Sequence, residues 1–90
     1  MFRDVVLRLP TFVYILTAAK EQRLPLLASL GQSGSHELDK ARAQDLAEEL
    51  TRLRSSGELP DLDEDLTSLA ELARWCAHAR EEAWLTIETA

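Results

Sequence analysis

Two short stretches near opposite ends of the chain alternate in polarity with a period of two, and they limit the fold more than anything between them. In "DVVLRL", Val5, Leu7 and Leu9 fall on one face while Val6 and Arg8 fall on the other. In "AWLTIE", Leu85 and Ile87 face one way, with Trp84, Thr86 and Glu88 opposite. Period-two alternation with β-branched and aromatic residues is the pattern of a half-buried strand. A lone strand is not stable in water, so the economical solution pairs the first with the last.

The residues between these stretches read as helices. Phe12, Ile15, Leu16 and Ala19 follow the i, i+3, i+4, i+7 spacing, with Thr11 as the expected N-cap. The same residues have high β-propensity, but the helical spacing continues through Ala19, so a helix is expected over residues 11–17 and beyond. Pro25 ends or kinks that helix, and "PLLASLG" can restart it, with Pro25 at N1 and Gly31 as C-cap. "GQSGS" at 31–35 reads as a loop. A further helix is expected from near Asp39, with Ser35 as a competing cap. Its core stripe is Ala43, Leu46, Leu50 and Leu53, flanked by Ala47, and it closes at Ser55-Ser56-Gly57. The last helix carries Leu62, Leu66, Leu69, Ala73, Cys76 and Arg80 at alternating spacings of four and three. The expected fold is therefore α+β and mainly α, with about three main helices on a small sheet made from the N- and C-terminal strands. The alternative is an all-α bundle with frayed ends. The 90 residues are expected to form one domain, 1–90.

Hydrophobic residues are 46% and charged residues 29%, the balance of a globular chain. A net charge of -6 disfavours direct nucleic-acid binding, which needs cations to neutralise phosphates, and favours a partner protein that is itself basic. One cysteine, Cys76, cannot close an internal disulfide, so a reducing cytoplasm is the expected compartment. The early arginines and apolar residues loosely resemble a signal peptide, but Asp4, Arg8 and Pro10 interrupt them. The run Phe12–Leu16 is shorter than the ~7–15 residues of a signal core and the ~20 of a membrane span. No membrane association is expected.

The stretch "PDLDEDL" at 60–66 concentrates Asp61, Asp63, Glu64 and Asp65. As a calcium loop starting at Asp61 it lacks the turn glycine, where Leu66 stands, and the closing glutamate, where Leu72 stands. Its position ahead of the last helical stripe predicts instead that Asp61 or Asp63 caps that helix and that the neighbouring carboxylates favour its positive pole. The charge beyond what a cap needs is either a solvated surface or a docking patch for a cationic partner.

On a helical wheel Trp75 lies among Glu71, His78 and Glu82, away from the core stripe. It either covers a second element or anchors an interface, a role in which tryptophan is enriched. Cys76 and His78 match no zinc spacing, and the other histidine is His36. No nucleophile–base set or phosphate loop is present, so neither an enzyme, nor a metal, nor a cofactor is expected. The expected function is a small acidic protein-binding module, an inhibitor of the immunity-protein or antitoxin type that occludes a basic partner such as a nuclease. The expected contact residues are Asp61, Asp63, Glu64, Asp65, Glu71, Trp75, His78 and Glu82. The alternative is a self-associating structural or adaptor subunit, so a homo-oligomer is possible.

Overall fold

The computed structural model describes residues 2–31 and 34–90. The fold is α+β and mainly helical, with four helices packed on a three-stranded sheet. Strand β1 (Phe2–Leu7) leads into helix α1 (Leu9–Glu21), then short α2 (Pro25–Ser29), strand β2 (Ser35–Leu38), α3 (Lys40–Ser56), a 3-10 turn (Pro60–Leu62), α4 (Asp63–His78) and strand β3 (Trp84–Thr89).

The two ends pair with each other, as inferred from the need of a lone strand for a partner. β1 runs parallel to β3 in a register from Phe2↔Trp84 to Leu7↔Thr89, so the whole helical layer forms the crossover between them. The expected sheet gains a third member, because β2 pairs antiparallel to β3 and gives the order β1-β3-β2. β2 lies partly within the expected loop 31–35, of which Gln32 and Ser33 fall outside the described residues. Leu38 is its one fully buried residue, and its partners are set by β3, so nothing local marks the segment as a strand.

One face of the sheet carries Leu7, Leu38, Leu85 and Ile87 into the core. There they join Phe12, Ile15 and Leu16 of α1, Leu46, Leu50 and Leu53 of α3, and Leu66, Leu69 and Cys76 of α4. Phe12 and His36 bring their rings to 6.0 Å. α3 and α4 form an antiparallel hairpin, tied at the surface by Arg54 to Asp63 and by the Arg74 guanidinium donating to Thr51 Oγ1 at 2.9 Å.

Several helix ends differ from expectation. α1 begins two residues before Thr11: Arg8 is its N-cap, and Pro10 occupies the first turn, where a missing N–H costs nothing. Leu9, expected on the inner face of the first strand, is the first residue of α1 and partly exposed. At the other end of α1, the Leu24 N–H donates to Ala19 C=O at 2.9 Å and the Arg23 N–H to Lys20 C=O at 3.2 Å. This is a Schellman closure with an arginine at φ 57 where glycine is favoured. α2 ends at Ser29 with Leu30 as C-cap, ahead of Gly31.

Five residues make a marginal helix on their own, and α2 is held from outside. Glu49 of α3 is buried, and its two carboxylate oxygens accept the N–H groups of Leu26 and Leu27 at 2.9 and 2.8 Å. A buried carboxylate needs such partners, and here it satisfies the open donors of a helix start whose own cap residue, Leu24, has no polar side chain. α3 starts as expected, with Asp39 accepting from the Arg42 N–H at 2.9 Å, and ends at Gly57 in the left-handed region.

Candidate functional site

The residues singled out from the sequence are spread over three segments. Asp61 lies in the 3-10 turn, exposed at the rim of a hollow of about 360 Å³ shared with Tyr14, Glu58 and Leu62. The expected aspartate cap is absent: α4 starts behind Leu62, with no side-chain cap, and the chain is turned into the helix by the Leu62 N–H donating to Leu59 C=O at 3.0 Å. Asp63, Glu64 and Asp65 fill the first turn, where their charge alone favours the positive pole. Asp63 also meets Arg54 Nε at 2.9 Å, with both side chains about half exposed, so the pair contributes little to stability.

Glu64, Glu71, Trp75 and His78 share one stripe of α4, as 3.6-residue periodicity requires, but Glu64 and Trp75 stand about 16 Å apart along the axis. Glu82, expected on the outer side of the helix, lies past its end and accepts the Trp84 indole N–H at 3.2 Å. Trp75 is half-buried against the core. The guanidinium carbon of Arg3, from the inner side of β1, lies 4.8 Å from its ring centroid. Tryptophan thus covers a second element, and the cation that its ring attracts is already supplied by the chain.

A different surface stands open. The face of the sheet turned away from the helices carries, in register, Phe2 beside Trp84, then Asp4, Thr86 and Glu37, then Val6, Glu88 and Ser35. Phe2 and Val6 are 77% and 59% exposed, and Asp4, Glu37, Glu88 and Ser35 are exposed with them. All three charged residues in these rows are acids; Arg8 follows on the same side only after β1 has ended. Exposed apolar residues interleaved with acids are the composition that a contact surface for a basic partner would have. The signal was in the sequence as the outward half of each alternation: Val6, Thr86 and Glu88 opposite Leu7, Leu85 and Ile87. Glu37 joins them only because β2 pairs with β3.

Cys76 is fully buried, and desolvation by that burial, helped by the nearby Asp39 carboxylate, raises its thiol pKa. A neutral, enclosed thiol is a packing group rather than a nucleophile. Among the described residues no group of three or more His, Cys, Asp and Glu side chains could hold a metal ion, and no helix is long and apolar enough to cross a membrane. In comparisons with family models, with curated proteins and with solved structures, the chain matches none.

Proposed function

We propose that the protein is a binding module that occludes a basic partner protein, in the manner of an immunity protein, antitoxin or other small inhibitor, and that it docks through the open face of its sheet. The observation that carries this reading is the pairing of exposed Phe2 and Val6 with Asp4, Glu37 and Glu88 in rows that hold no cation. Exposed apolar side chains supply area to bury, and a single-sign rim steers an oppositely charged surface into encounter and penalises like-charged ones. The same rim opposes face-to-face stacking of two copies, which would set the three carboxylates of each against those of the other. That favours an inhibitor over a self-associating subunit.

The test is retention of a basic protein from native lysate on immobilised protein, repeated with Val6→Asp and with the double variant Glu37→Lys, Glu88→Lys. A monomer whose capture is lost in both variants, at unchanged melting temperature, supports the reading. Equal capture by both variants, or a stable homo-oligomer that captures nothing, overturns it.

A further inference from the structure

The open face continues to an edge. β1 pairs on one side only, with β3, and its bonding parity can be read at its end. The Ala90 N–H donates to Leu7 C=O and the Leu9 N–H donates to Ala90 C=O, both at 3.0 Å. The N–H and C=O of one strand residue point to the same side, and successive residues alternate. Arg3, Val5 and Leu7 therefore turn their backbone groups to β3, while Asp4 and Val6 turn theirs outward from the sheet. Asp4 and Val6 are also residues whose side chains stand on the open face, in line with Phe2. An incoming strand would find its hydrogen bonds and its side-chain contacts in the same place.

Resting on the reading just proposed, we infer that β1 is an augmentation edge: it takes an extended segment of the partner protein whose alternate residues are apolar, Lys or Arg, and apolar. The chemistry follows from the row beside which the segment would lie. Directly opposed side chains on neighbouring strands come within about 5 Å, so the residue facing Asp4 meets a carboxylate while those two positions either side meet Phe2 and Val6. A cation flanked by apolar residues satisfies all three. A second copy of this chain does so less well. The two antiparallel registers that overlap β1 most set Asp4 against Asp4 of the second copy, or against its Val6, and neither supplies a cation. The opposite edge is a weaker template, because β2 is only four residues long.

Two synthetic peptides serve as probes: an end-blocked TVTKTVT and its glutamate counterpart TVTETVT, each titrated into the whole protein and followed by backbone NMR with hydrogen exchange. The lysine peptide should slow exchange at the Asp4 and Val6 amides and leave the Val5 and Leu7 amides, already in the ladder, unchanged. It should bind roughly fivefold more tightly than the glutamate peptide, and Asp4→Lys should invert that preference. Because the inversion compares two peptides on one variant, it holds even if the substitution alters stability. Lysine-peptide shifts confined to Thr86, Glu37 and Glu88, without protection at Asp4 and Val6, would overturn the edge and leave the open face standing. No perturbation of β1, β2 or β3 by the lysine peptide would overturn both. Protection of Asp4 and Val6 with no peptide, accompanied by a doubled mass, would assign the edge to a second copy and overturn the proposal.

Discussion

The two faces of the sheet are built from alternate residues of the same three strands, yet they have opposite fates. Leu38, Leu85 and Ile87 have no exposed surface, whereas Phe2 and Val6, one step out of phase with that side, are mostly exposed. Neighbouring residues on one strand share backbone geometry and differ only in what lies over them. Four helices cover one face, and the other keeps apolar groups and carboxylates in solvent. Burial does not account for these apolar groups; what they add to folding is limited to cross-strand pairing, such as Phe2 beside Trp84.

The largest expected effect comes from removing what both faces share. Deleting residues 84–90 removes the central strand, leaving β1 and β2 without a partner, and should abolish cooperative thermal unfolding. A truncated chain that melts like the parent would refute the pairing. Single substitutions then separate the faces. Ile87→Ala should cost about 3 kcal/mol in urea unfolding, through lost burial and a cavity, while Val6→Ala should stay within about 0.5 kcal/mol. Similar costs at both positions would mean that the outer face is covered.

Cys76 reports on the closed side without a change in packing. Its reaction with a thiol reagent in the native protein should be at least about a hundredfold slower than in denaturant, since it must await opening of the core. Its pKa is raised in the folded state, so its contribution is complete below the thiol's ordinary range and is lost as pH rises through the raised value. Replacing Cys76 with Ala should therefore flatten the alkaline loss of stability, although it lowers stability at neutral pH. A parent and variant with parallel alkaline profiles would show that the thiol is not enclosed.

The outer face should give the smallest stability changes and the clearest binding changes. Glu37→Lys with Glu88→Lys should shift unfolding by less than about 0.5 kcal/mol while slowing partner association and reversing its salt dependence. For contrast, Asp63→Asn in the other acidic region should cost no more than about 1 kcal/mol and leave association unchanged, because Asp63 pairs with Arg54 and lies on a different element. If Asp63→Asn slowed association as much as the sheet variants, the α4 cluster would be the docking surface after all.

Much of this architecture was legible residue by residue. The alternation of Val5 and Leu7, and of Leu85 and Ile87, determined two strands and their inner faces, because a period of two admits one solution once a side must be buried. The stripes Ala43–Leu46–Leu50–Leu53 and Leu66–Leu69–Ala73–Cys76 determined two long helices in the same way, and all eight residues are buried. Asp39 and Gly57 marked the ends of α3 through local backbone chemistry that neighbours alone decide. What tertiary structure decided were the features whose partners are distant in the chain. β2 is a strand because β3 offers it a ladder, not because "SHEL" prefers one. Glu49 is buried because the start of α2, more than twenty residues earlier, needs its oxygens. Trp75 is engaged because β1 brings Arg3 over its ring. The acids of PDLDEDL were conspicuous by their density, and Asp4, Glu37 and Glu88 were not, since they lie far apart in the chain. Only the sheet brings those three together, because a register joins residues by hydrogen bonds across strands, and no local pattern in any one strand records which residues will stand opposite it.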